Sequence, residues 1–136
     1  MSNTNIKFTA PGMDNDAAAK TIKVLDQRLV ALLDLQLTLK HIHWNVVGPN
    51  FIGVHEMLDP QVDAVREMTD TIAERIATLG GVPKGTPKAI VEGRSWQDYE
   101  LGKGLVLDHL KALDAVYDGV NGDHRKALEL LGEVDP

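Results

Sequence analysis

No cysteine occurs among the 136 residues. Disulfides and thiolate metal sites are therefore both excluded, and any metal must be held by imidazole or carboxylate. Aromatic residues make up only 4%, too few for the aromatic and β-branched runs of a sheet protein. The long middle segments, dense in Leu, Val, Ile, Ala, Asp, Glu and Lys, favour helix instead. No apolar run reaches the roughly 18 residues that cross a bilayer, and Met1-Ser-Asn-Thr-Asn-Ile-Lys-Phe lacks the basic-then-apolar order of a signal peptide. A cytoplasmic protein, away from membranes, is the expectation. Basic charge is scarce too: 14 Lys and Arg against 20 Asp and Glu give a formal net charge of −6. Such a surface repels phosphate backbones on average. Residues 1–20 carry only Lys7 and Lys20 against Asp14 and Asp16, so a basic arm able to grip DNA is missing and direct DNA binding is not expected.

The length fits one domain with a real core. Over residues 16–47, Ile22, Leu25, Leu29, Leu32, Leu39 and Val46 recur at the three-and-four spacing of one helix face. Gly48-Pro49 stops this helix and Asn50 is placed to cap the next. A second helix is expected over residues 51–79, with Leu58, Val62, Val65, Ile72, Ile76 and Leu79 as its stripe; Pro60 would kink it or start it. So short a link makes the two helices antiparallel. Residues 82–94 read as a crossover loop, with a helical turn from Ser95, and a third long helix is expected over residues 96–131. The class is all-α, with residues 1–15 as a flexible arm. Three long amphipathic helices, one tight hairpin and one crossover resemble a ferritin-like four-helix bundle, with the fourth helix expected to be absent from residues 1–136.

Five residues carry candidate chemistry: His43, His55, Asp59, Asp70 and Glu74. At about 100° per residue, the last four share an arc of roughly 100° beside the apolar stripe. At about 1.5 Å rise per residue, Asp59 and Asp70 stand about 17 Å apart and His55 and Glu74 nearly 30 Å, whereas a ligand sits about 2 Å from its ion. One chain cannot close such a site. Two copies pairing this helix antiparallel about a two-fold axis would bring the His55/Asp59 end of one to the Asp70/Glu74 end of the other, twice over. His43, carried alongside His55 by the hairpin, completes a cluster of imidazoles and carboxylates that suits Fe(II), Mn(II) or Zn(II).

The run Lys40-His-Ile-His-Trp-Asn-Val-Val-Gly-Pro-Asn-Phe-Ile-Gly-Val-His55-Glu-Met-Leu-Asp59, followed by Asp70-Thr-Ile-Ala-Glu74-Arg75, resembles the signature of the Dps family, and the resemblance covers essentially the whole chain. It implies a cage of twelve subunits with ferroxidase centres shared across dimer interfaces, which oxidises Fe(II), preferably with hydrogen peroxide rather than dioxygen, and stores the ferric mineral, protecting DNA. By that resemblance His43, His55 and Asp59 are iron ligands from one subunit, and Asp70 and Glu74 ligands from its partner. Trp44 would quench oxidising equivalents and Arg75 would steady nearby carboxylates.

Plainer readings stand beside these. A lone helical histidine is more often structural than a ligand, and His41, His109 and His124 are read that way. Asp59-Pro60 is also an ordinary helix-start pair, and Asp70 and Glu74 could be a solvated acidic pair, although like charges one turn apart disfavour a helix. His55-Glu-Met-Leu-Asp59 imitates the HExxH zinc-peptidase motif with Asp in place of the second His. A metal-dependent hydrolase is therefore one alternative, and a DNA-binding nucleoid protein the other. Asp123, Glu129, Glu133 and Asp135 could line a cation pore in the cage.

Overall fold

The computed structural model describes residues 13–134; of the expected arm at residues 1–15, residues 1–12 lie outside them, as does the carboxylate of Asp135, and Asn15 already belongs to the first helix. The first helix, α1, spans Asn15–Asn45. Asp14 caps it, its carboxylate accepting from the Ala17 amide at 2.8 Å. Its core-facing row of Leu25, Leu29, Leu32, Leu35, Leu39 and Ile42 is buried. The chain then runs extended through β1, Val46–Val47, so helix ends two residues before the expected 47.

Two backbone positions turn the chain round. Gly48 has φ 93° and Asn50 φ 66°, both in the left-handed region where glycine, and next asparagine, is tolerated best. Asn50 does precede the next helix but its side chain makes no capping hydrogen bond; it serves the backbone turn rather than the expected cap. The second helix, α2, spans Phe51–Thr78 and passes straight through Pro60. Asp59 is thus inside a helix rather than at its start. Buried Leu58, Val62, Val65, Thr69 and Ile76 pack this helix against α1, and Gly80, at φ 91°, closes it with its amide on the Ala77 carbonyl at 3.0 Å.

The crossover differs from expectation. A short helix, α3, occupies Pro87–Gly93, with Thr86 capping it and Pro87 in its first turn. Helix was expected instead from Ser95 and Trp96, yet residues 94–103 are irregular, and β2, Gly104–Leu105, pairs parallel with β1. The last helix, α4, begins at Val106 and runs to Val134. The physical reason lies in the polar anchors of that stretch: the Trp96 indole N–H donates to Asp34 at 2.6 Å, Arg94 pairs with the same carboxylate at 3.3 Å, and the Leu101 carbonyl lies 2.5 Å from His41 Nε2. These ties to α1 hold the segment extended, and Gly102 and Gly104 offer little helical preference against them.

One core cluster joins α1, α2 and α4 through Leu32, Leu35, Leu39, Ile42, Leu58, Val62, Val65 and Leu113; a second, around Leu25, Leu29, Ile76 and Leu79, seals the other end. Both α2 and α4 rest on α1. Between them runs an open apolar groove of about 620 Å³, lined by Leu25, Leu32, Met68, Ile72, Leu128 and Leu131 among others.

Candidate metal centre

The α1–α2 hairpin carries His43, in the last turn of α1, onto His55, near the start of α2. Their rings stack with centroids 3.6 Å apart and planes 18° from parallel. His43 Nδ1 lies 2.6 Å from the His55 carbonyl oxygen, and His55 Nδ1 lies 2.8 Å from the His43 carbonyl oxygen. A carbonyl can only accept, so each Nδ1 must carry the hydrogen and donate it. In its neutral form each imidazole then keeps its lone pair on Nε2, the form in which histidine binds a metal, with backbone oxygens fixing tautomer and ring orientation from behind.

Asp59 follows one turn after His55. Its Oδ1 accepts from Lys40 Nζ at 2.9 Å and lies 3.5 Å from His43 Nδ1. The Lys40 hydrogen bond chiefly holds this carboxyl below its usual range, slight desolvation opposes it, and the charges of His43, Lys40 and His55 act in the same downward sense. Asp59 is therefore an ionised, half-exposed oxygen donor at the edge of the histidine pair. Trp44, beside His43, is 70% exposed, and the Phe51 ring meets His55 edge-on at 6.4 Å.

Asp70 and Glu74 stay apart from this group. They stand three and four turns further along α2, exposed on the single chain, and among the described residues no three His, Asp or Glu side chains converge closely enough to hold a metal ion. The chain thus brings together His43, His55 and Asp59 and leaves the two acidic positions at the other end of the same helix. Lys40 was missed in the sequence except as the first residue of the quoted run; its pairing across the hairpin needs the three-dimensional register.

The other histidines are structural in different ways. His41 contacts the crossover through Leu101 and meets Tyr99 edge-on at 5.7 Å. His109 is fully buried, its Nδ1 2.6 Å from the Tyr99 hydroxyl and its Nε2 without a hydrogen-bond partner among the described residues. His124 Nδ1 lies 3.3 Å from an Arg28 guanidinium nitrogen; burial first, then that cation, keeps His124 below its ordinary pKa. Among the described residues no helix is long and apolar enough to cross a membrane.

A hairpin of long helices, a crossover, a third long helix and a histidine–carboxylate group on the hairpin define a ferritin-like protein, and the family model described as a ferritin-like domain matches residues 22–136. The DNA protection during starvation protein of Mycolicibacterium smegmatis is 56% identical over 128 residues, which cover 94% of this chain and 70% of that protein. The fine tangled pili major subunit of Haemophilus ducreyi is 48% identical over 132 residues, covering 97% of this chain and 70% of that one. Among solved structures, DpsA14 from Streptomyces coelicolor superposes with a TM-score of 0.95 at 58% identity, over 96% of this chain and 78% of that one. The chain belongs to the Dps family.

Proposed function

We propose that this chain is a subunit of a dodecameric cage that oxidises Fe(II), with hydrogen peroxide in preference to dioxygen, stores the ferric product as mineral, and so shields DNA from oxidative damage. Two Fe(II) ions give up two electrons to one hydrogen peroxide, whose O–O bond breaks; with two protons from solvent its oxygens leave as two water molecules, and both ions become Fe(III). The observation that carries this reading is the reciprocal locking of His43 and His55, each Nδ1 held by the other's backbone carbonyl. Both Nε2 atoms are left as ready donors, with the ionised Asp59 alongside. An imidazole and carboxylate set without thiolate suits ferrous iron and lets it pass to the ferric state without a competing soft ligand. Asp70 and Glu74 of a second copy supply the remaining oxygens in this reading, and the exposure of both favours it. Trp44 stands next to the ligand His43 where it can give up an electron to a stray oxidant.

The open groove between α2 and α4 is the place we assign to the fourth helix of the bundle. Met68 is 47% and Leu128 69% exposed there, an apolar surface that favours aggregation unless it is covered. DNA protection is chemical in this reading, since the net charge of −6 works against a phosphate partner.

The deciding experiment is anaerobic Fe(II) loading followed by a hydrogen peroxide pulse, read by absorbance and by sizing, on wild type and on a His43→Ala/His55→Ala variant. Wild type should form a soluble ferric core in a large particle, with iron oxidation in the variant slower by about tenfold or more, the loss typical when ligands or their supports are removed. Equal behaviour of the two proteins would defeat the reading and turn attention to Zn(II) or Mn(II) hydrolysis.

A further inference from the structure

We infer that two copies of this chain meet along α2 in one register, fixed by Asp63 of each copy against Arg66 of the other. The inference rests on the shared-site reading and adds to it the residues that set the alignment. In an antiparallel pair about a two-fold axis, a residue some number of positions before the axis faces the residue the same number after it. Setting His55 opposite Glu74 places the axis between residues 64 and 65. The same axis sets Asp59 opposite Asp70, although that pair was not used to find it. Two pairs of residues on one helix therefore agree on one register without adjustment.

Asp63 and Arg66 then lie opposite each other, the second position out on either side of the axis, and symmetry makes the contact twice. Both are on the right face: at about 100° per residue they stand about 80° and about 20° round from His55, inside the arc that ends at Glu74. Both are exposed, and neither has an ion pair within the chain among the described residues. Towards the ends, Ile52, 50% exposed, falls opposite Ala77, an apolar pair flanking the metal ligands. Slipping the register by one turn would set Asp63 against the partner's Asp70 or Asp63 against Val62, losing the charge match and separating the ligand sets together. In this register Asp63 meets Arg66 and His55 meets Glu74, while Asp59 facing Asp70 is a like-charge pair that a bound cation would offset; a second copy is thus the occupant this face fits.

Opposite-charge pairing across a two-fold axis has a specific test by complementation. Asp63→Arg places four cations around the axis and Arg66→Asp four anions, so each variant alone should assemble about tenfold or more weakly than wild type, because like charges are forced together. Mixed, the two variants should assemble with each other, since every contact in the mixed pair is again Arg against Asp; the double variant Asp63→Arg/Arg66→Asp should recover assembly by itself. Native mass spectrometry reads the mixed pair and circular dichroism checks that each variant folds. Failure of the mixture to assemble while wild type does, or wild type remaining a single chain at all concentrations, overturns the register. Because assembly is read without iron, restored pairing that fails to oxidise Fe(II) would sink the ferroxidase reading and leave the register standing.

Discussion

Gly48 is where the hairpin and the histidine pair depend on one backbone angle. Its φ of 93° is outside the range of ordinary L-residues, and a Cβ built on it would come 2.6 Å from Leu105 Cδ2. Gly48→Ala therefore costs about 1–2 kcal/mol for a side chain in the left-handed region. The overlap adds little, because it falls on the far end of the Leu105 side chain, which is 55% exposed and can turn aside. Leu105 belongs to β2, which pairs with β1 just before the glycine. Gly119→Ala is the internal control: no atom lies within 4 Å of its added Cβ, and a helix interior gains roughly 1 kcal/mol on exchanging Gly for Ala. Urea unfolding at fixed subunit concentration should shift in opposite directions for the two variants. Equal midpoints for Gly48→Ala and wild type would refute the claim that this turn is held in one conformation.

Removing Lys40 with Lys40→Met should let the Asp59 carboxyl titrate nearer its ordinary range, because the lysine hydrogen bond is the chief cause of its lowered pKa. The sign follows: with its folded value below its unfolded one, Asp59 favours the folded state above the carboxylate range and loses that contribution as pH falls through the folded value. Carboxyl carbon NMR titration reads the midpoint, and an unmoved midpoint contradicts the assignment. Leu39, fully buried beside Ile42 and Leu58, should cost about 2–5 kcal/mol on Leu39→Ala, measured by the same urea series; a loss under 1 kcal/mol would mean that the three-helix core collapses around the gap.

The long helices were legible because their burial is periodic. Leu25, Leu29, Leu32 and Leu39 on α1, and Leu58, Val62, Val65 and Ile76 on α2, are buried at the spacing the sequence displays, and no loop chemistry was needed to find them. The crossover was not legible for the opposite reason. Trp96, Tyr99 and Leu101 carry apolar character at spacings that imitate a helix, yet Trp96 and Leu101 find their partners, Asp34 and His41, far away in sequence on α1, and Tyr99 finds its own in His109 of the next helix. Thr86-Pro87, a capping residue followed by a helix-starting proline, does signal α3 locally, against the loop expected over residues 82–94. At the site, the hairpin spacing was enough to place His43 beside His55. The exchange of Nδ1 hydrogens for backbone carbonyls was beyond reach, because it depends on ring rotation rather than on position along the helix.

That exchange ties the site to the fold in a way a ligand list does not express. Each histidine is oriented by a carbonyl of the other's residue, on the opposite helix, so neither ring can be set without the hairpin closing and the hairpin cannot shift without turning both rings. The last carbonyls of α1 have no amide partner further along the helix, and the His43 carbonyl finds its donor in the His55 ring. A helix-end requirement and a ligand-orienting requirement are thus met by one contact. Asp59 lacks such support: among the described residues it is held by Lys40 at 2.9 Å, with His43 Nδ1 3.5 Å away, so of the three residues gathered on one chain it has the most freedom to move toward an incoming cation.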